Sequence, residues 1–343
     1  MARRPTIKDI AERALVSVAT VDRVLNGRHP VREETARAVY DAAAALGFHA
    51  TGLIQQRLAK DLPTYRFGFL LQRPNQPFYQ NFGKALEGAA ASSSNAIIHP
   101  RIEYLPSQRP TEVVTHLMAM ANKVSAIAIT TIDHPKISEA VAELKIRGIP
   151  VFAMLSDIAP GIRQGYIGLN NRRAGRMAAW VIARTAKAPG RVAVCVGSHR
   201  FQGHELRETG FRSYFREYAP EFTMLETLVN LEARSIAYEA TLDLLQRYPD
   251  LSGIYVAGGG MEGTINALRE ENMADKIAVV CNELTPDSRA ALADTIVTAV
   301  IGTPLDQLAR ELMGLMIKSI SSEADSVPGQ TFLPIDFYIS ENI

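Results

Sequence analysis

The chain has 343 residues, 47% of them hydrophobic and 21% charged, the balance of a folded globular protein rather than a disordered one. Its 37 Lys and Arg against 36 Asp and Glu give a formal charge of +1, which taken whole argues against a nucleic-acid partner. No apolar run reaches the roughly 20 residues needed to cross a bilayer, and the two cysteines are too few for a disulfide framework.

Cys195 and Cys281 lie inside apolar runs and read as small buried thiols of a reducing compartment. The polar N-terminus has no apolar h-region, so a cytoplasmic location with no membrane partner is expected. Averaging the charge hides an asymmetry. Residues 1–60 carry ten basic and six acidic side chains, a net of +4, which leaves 27 basic and 30 acidic residues, a net of −3, for the remainder. A basic end module is the footprint of a phosphate-backbone binder.

In chain order, Thr6-Ile7-Lys8-Asp9 is a helix start in which Thr6 caps the first turn and Asp9 returns the bond. Ile7, Ile10, Ala11 and Ala14 share one helical stripe, and the helix is expected to stop near Leu15-Val16. Ser17 caps a second helix, Val18 to Leu25, with Val21, Val24 and Leu25 inward and Val18, Ala19, Asp22 and Arg23 exposed. After the loop Asn26-Gly27-Arg28-His29-Pro30, a third helix runs from Arg32 to Leu46 and ends on Gly47. Two short helices with a tight turn, braced by a third, predict a helix-turn-helix domain over 1–49. Residues 50–63 place Leu53, Ile54, Arg57 and Leu58 on an amphipathic turn or two, a hinge or a plain linker.

Farther on, apolar strand-like runs near 67–71, 96–98, 126–129, 150–154, 165–167, 192–196, 224–228, 253–257, 278–281 and 298–300 alternate with helical segments. That alternation predicts parallel doubly wound sheets, and so many strands exceed one sheet. The expected fold class is α/β: a three-helix helix-turn-helix domain plus two doubly wound parallel lobes over 64–343. The first lobe is expected at about 64–160 and 294–322, the second at about 161–293 and 323–343.

The run Ile7-Lys8-Asp9-Ile10-Ala11-Glu12-Arg13-Ala14, followed by Val16-Ser17-Val18-Ala19-Thr20-Val21-Asp22-Arg23-Val24-Leu25-Asn26, resembles the N-terminal signature of the LacI family of bacterial transcriptional regulators. The later alternation is similar to that family's periplasmic-binding-protein-like core of type I, so the resemblance covers essentially the whole chain. Two positions depart: Leu15 stands where the family has its turn Gly, and Asp22 where it has Ser. A Leu there implies a turn that avoids positive φ or tolerates strain.

The resemblance implies that Val18, Ala19 and Arg23 enter the DNA major groove. Arg23 is suited to a bidentate pair with guanine, and Val18 and Ala19 to thymine methyls. Thr6, Ser17, Thr20 and Asn26 would hold phosphates and set the register. The resemblance also implies a hinge leucine wedged into the minor groove. Ala50-Thr51 replaces the usual Pro-Asn start and the spacing is longer, so either Leu53 or Leu58 fills that role.

Ligands of doubly wound sheets sit beyond the carboxyl ends of the strands, here between the lobes. Asn75, Gln76, Phe78 and Tyr79 follow the first strand and supply the amides and rings of a sugar pocket, or else staple a helix start. Asp157 follows the fourth strand and accepts hydroxyl bonds or caps a turn; Ser198 follows another. In the family, the Arg of Arg-x-x-Gly-aromatic grips ligand hydroxyls or a carboxylate, and Arg207-Glu208-Thr209-Gly210-Phe211 matches it. Glu283 stands where relatives carry a hydroxyl-binding acid. Gly258-Gly259-Gly260 and Gly302-Thr303 replace loops that usually offer Asn or Asp and Gln. With Gly260 and Thr303 taken as lining residues, these small side chains predict extra space, enough for a disaccharide or glycoside.

No metal-ligand spacing, nucleophile elbow or Walker motif occurs, the seven histidines are scattered, and no cofactor or metal is expected. His199 and His204 flank the pocket loop as ligand or core hydrogen-bonders. The resulting expectation is a non-enzymatic transcriptional regulator, a repressor, binding double-stranded operator DNA through the head and a small hydroxylated effector in the cleft. Palindromic half-sites imply a homodimer, with a tetramer as the alternative. A nucleoside or polyol effector, or a solute-binding protein, are the competing readings.

Overall fold

The computed structural model describes residues 5–26, 31–48, 62–321 and 329–343. In the head, α1 (Ile7–Arg13) starts on the expected reciprocal cap. The Asp9 backbone N–H donates to Thr6 Oγ1 at 3.4 Å, and the Thr6 N–H donates to the Asp9 carboxylate at 2.7 Å. The turn that follows places Leu15 at φ 54 with its side chain 92% exposed, so this Leu tolerates the left-handed conformation rather than avoiding it.

The α2 helix (Val18–Asn26) begins where the Thr20 N–H donates to Ser17 Oγ at 3.1 Å. The α3 helix (Glu33–Ala45) closes on Gly47 at φ 66, which lets the Phe48 N–H reach the Ala43 carbonyl at 2.9 Å. Ile10, Val21, Val24, Val39 and Phe48 are buried together and form the head's own core. Most of the expected 50–63 hinge, with Leu53 and Leu58, lies outside the described residues.

Two parallel α/β sheets follow. The first contains β1 (Thr64–Gln72), β2 (Ile97–Leu105), β3 (Ala126–Ile129), β4 (Val151–Met154), β5 (Gly165–Leu169) and β12 (Gly329–Leu333), in the order β12-β5-β4-β3-β1-β2. The second contains β6 (Arg191–Val196), β7 (Thr223–Met224), β8 (Leu228–Val229), β9 (Leu251–Val256), β10 (Ala278–Asn282), β11 (Ala299–Gly302) and β13 (Asp336–Tyr338). Its order is β13-β11-β10-β9-β6-β7, with β8 also on β6 and only β13 antiparallel.

Central strands such as Ala-Ile-Ala-Ile in β3 are buried on both faces, which suits the near-continuous apolar runs of parallel sheets. The covering helices are α4 (Pro77–Ala91), α5 (Pro110–Ala121), α6 (Pro135–Ile146), α7 (Asn171–Thr185), α8 (Gln202–Tyr218), α9 (Arg234–Arg247), α10 (Met261–Glu270), α11 (Pro286–Ala293) and α12 (Leu305–Ser321).

The lobe limits differ from those expected. The β5 strand pairs with β4 (Phe152 opposite Gly165) and so belongs to the first lobe. The β11 strand pairs with β10 (Val280 opposite Ala299) and belongs to the second. The β12 strand returns to β5 in the first lobe, while β13 closes the second against β11. The chain therefore crosses between lobes after β5, β11 and β12. The single strand expected at 224–228 is two short pieces, β7 and β8, both on β6. The α11 helix and the strands β12 and β13 were not expected.

Candidate functional site

On the head, the α2 surface leaves Val18, Ala19 and Arg23 exposed, and Arg23 forms no ion pair among the described residues. Its neighbours are held in place. Asn26 Nδ2 donates to Asp22 Oδ1 at 2.6 Å, and the Ser17 and Thr20 hydroxyls lie 2.8 Å apart. The unusual Asp22 thus orients Asn26 at the end of the helix. Thr6 donates its hydroxyl to Asp9 at 2.7 Å. The face presents two small apolar groups and one free guanidinium, flanked by hydroxyls and an amide.

In the core, a concavity of about 730 Å³ of free volume, including its solvent-open part, lies at the carboxyl ends of both sheets. Gln76, Phe78 and Tyr79, at the start of α4, form its first-lobe wall with Thr130 and Ser156. The Phe78 and Tyr79 rings meet edge to face with centroids 5.1 Å apart. Burial raises the Tyr79 hydroxyl well above its ordinary pKa, helped by the nearby carboxylates of Glu232 and Glu283.

Arg207 of α8 projects from the second lobe and is buried. Its Nε donates to Asn171 Oδ1 at 2.7 Å and its Nη1 to the Ala257 carbonyl at 2.8 Å, while Nη2 has no acceptor among the described residues. Asn171 in turn donates to the Tyr166 hydroxyl at 3.1 Å, so Arg207 is fixed from behind and keeps free donors toward the cavity. Glycine sets the approach of α7 to α8: a Cβ at Gly175 would collide with the Arg207 carbonyl oxygen.

Glu283, half-buried at φ 73, receives the Thr303 backbone N–H at 2.9 Å and the Thr303 hydroxyl at 2.8 Å. Burial raises its pKa above the usual carboxylate range, against the pull of Arg207 and Thr303.

Five expected binding residues therefore line one cavity: Gln76, Phe78, Tyr79, Arg207 and Glu283. The others stand elsewhere. Asn75 is exposed on its loop, and Ser198 Oγ accepts the Arg200 N–H at 3.2 Å. Gly260, at φ 89, opens α10, and Thr303 acts by holding Glu283. Asp157 is a correction. It is buried and its carboxylate is bound by Arg163 through both Nε and Nη2, the latter at 2.6 Å, so it is occupied away from the cavity.

The space expected at Gly258-Gly259 is also filled. A Cβ on Gly258 would meet the His204 ring at 2.7 Å, and one on Gly259 would meet Glu232 Cβ at 3.0 Å. Glu232 and His204 take up that room and become wall residues themselves. Burial, then the charge of Arg207, pushes His204 down to about 3, so it stands neutral.

Glu232 was invisible in the sequence because it follows β8, a strand of only two residues. It faces Arg73, a first-lobe residue at φ 38, whose Nη2 donates to the Leu231 carbonyl at 2.7 Å across the cleft. Thr130, by contrast, could have been found, since it directly follows the apolar run of β3.

Residues 67–324 match the family described as periplasmic binding protein domain, and residues 6–50 match bacterial regulatory proteins, lacI family. The HTH-type transcriptional regulator GalS of Salmonella typhimurium is 22% identical, over 96% of this chain and 94% of its own. The ribose operon repressor of Halalkalibacterium halodurans is 24% identical, over 75% of this chain and 74% of its own. Among solved structures, GanP, a glucose-galactose binding protein from Geobacillus stearothermophilus, superposes with a TM-score of 0.74 at 17% identity, covering 82% of this chain and 99% of that one. At that identity the likeness carries the fold alone.

Proposed function

The chain belongs to the periplasmic binding protein domain family and bears a lacI-family head, and from that premise we propose that it is a ligand-controlled transcriptional repressor. The observation that carries this reading is the union in one chain of two sites: a helix presenting Val18, Ala19 and Arg23, and a cleft where Phe78, Tyr79, Arg207 and Glu283 converge. Arg23 reads guanine through its fork, Val18 and Ala19 pack on thymine methyls, and Thr6, Ser17, Thr20 and Asn26 contact phosphates. The cleft takes a small hydroxylated effector: rings stack on the apolar face of a pyranose while Arg207, Glu283 and Gln76 bond its hydroxyls. The names of the relatives GalS and ribose operon repressor support a sugar.

The working form is a cytoplasmic homodimer without catalytic activity, because each head reads one half-site of a two-fold symmetric operator. No described helix is long and apolar enough to cross a membrane.

A gel shift with DNA upstream of the chain's own gene tests the reading. The parent is expected to bind one sequence specifically, with affinity falling as salt rises. Arg23→Ala should lose about 1–3 kcal/mol, roughly 5- to 150-fold, at the guanine it contacts. Binding that ignores sequence, or that Arg23→Ala leaves unchanged, would contradict the proposed function.

A further inference from the structure

We propose that the cleft selects a hydroxylated ligand carrying a protonated amino group, an amino sugar or amino polyol, over the neutral analogue of the same size. The inference rests on the cleft being the effector site and names the class of effector.

The wall carries three carboxylates, Glu232, Glu262 and Glu283, against Arg207 in the wall and Arg73, which reaches Glu232 from the first lobe, so the carboxylates still outnumber the guanidinium groups. Arg207 spends its described bonds on neutral acceptors, the Asn171 amide oxygen and the Ala257 carbonyl. Glu283 is held only by the neutral donors of Thr303 and forms no ion pair among the described residues. Each of its oxygens accepts one bond there and keeps capacity for another.

Glu232 is buried, with 5% of its side chain exposed. Its Oε2 pairs with Arg73 Nε at 3.4 Å without an aligned hydrogen bond. Burial raises its pKa against the pull of Arg73, the Gly259 backbone and Arg207, so Glu283 is the carboxylate with the greater unmet charge. The Oε1 of Glu232 is 3.8 Å from Nε2 of His204, which is neutral and adds no compensating charge. Glu232 and Glu283 line the same cavity as Tyr79, whose hydroxyl feels both carboxylates and, in the opposite sense, Arg73 and Arg207.

A carboxylate shielded from water is penalised unless a counter-charge and donors meet it. Neutral hydroxyls supply donors alone. An alkylammonium supplies three N–H donors and the charge, and its bonds to carboxylates are the stronger kind. A metal cation fits poorly, because the described residues contain no group of three or more potential metal ligands.

Calorimetric titration of the full chain with matched probes tests this: D-glucosamine against D-glucose and N-acetyl-D-glucosamine, and D-galactosamine against D-galactose, at a pH where the amines are protonated. The amine of at least one set is expected to bind about 10-fold or more tightly than its neutral partners. Glu283→Gln or Glu232→Gln should bring that ratio toward one, and thermal melts of the unliganded variants check that they fold.

Neutral sugars binding as tightly as amines, or a ratio that both variants leave unchanged, would overturn the proposal while preserving the sugar reading. No binding by any of these sugars would overturn both.

Discussion

Asp157→Ala should lower the stability of the core by about 3–5 kcal/mol without abolishing ligand binding by the folded protein. Asp157 and Arg163 are both almost wholly buried, with side chains 5% and 4% exposed, and form a bidentate pair along the Nε–Nη2 edge of the guanidinium. The pair also ties distant chain together. Arg163 Nη1 donates to the Gly329 carbonyl at 3.0 Å, and Gln330 Nε2 donates to Asp157 Oδ2 at 3.0 Å, which clamps β12 beside β5. Removing the carboxylate leaves a buried cation with only neutral partners, and that uncompensated charge is the source of the cost. Urea denaturation of the single variant should show a large drop in midpoint, and Asp157→Leu combined with Arg163→Met should recover much of it. A single variant as stable as the parent that nevertheless fails to bind sugar would return Asp157 to the binding site.

Arg207→Ala is expected to weaken effector binding by about 100-fold or more, since charge-assisted hydrogen bonds contribute roughly 1.5–3 kcal/mol each. The guanidinium is aimed before ligand arrives by Asn171, the Ala257 carbonyl and the glycine-permitted contact of α7 with α8. Little ordering cost is therefore left for the binding event. Thermal shifts read this directly. The sugar that stabilises the parent most should hardly move the Arg207→Ala melt, because stabilisation follows the ratio of ligand concentration to Kd. An equal shift in parent and variant would remove Arg207 from the site.

The head was legible because its signals are local. The Thr6–Asp9 cap, the apolar stripe of α1 and Gly47 after α3 each act within a few residues. Leu15 shows the limit, since the turn keeps its positive φ although the residue there is not glycine. In the core, the long apolar strands were readable but the crossovers were not. The β12 strand is half-exposed and owes its place to pairing with Gly165, far back in the chain. Arg207 and Glu283 followed from strand ends and a motif. Asp157 did not, because its partner Arg163 sits in an irregular loop six residues on. Gly258 and Gly259 read as empty space, whereas Glu232 and His204 from other segments occupy it. Small residues report what their own side chains omit, and packing decides what enters.

Control of DNA binding from the cleft requires an effector to bind two conformations of the protein unequally. Fluorescence anisotropy of a labelled upstream DNA fragment, titrated with the full chain with and without the sugar that most raises its melting temperature, measures that coupling. A saturating amount of this sugar is expected to change the DNA Kd by about 5-fold or more, and Arg207→Ala should abolish the change while binding DNA as before. A DNA Kd identical with and without saturating sugar would contradict such control.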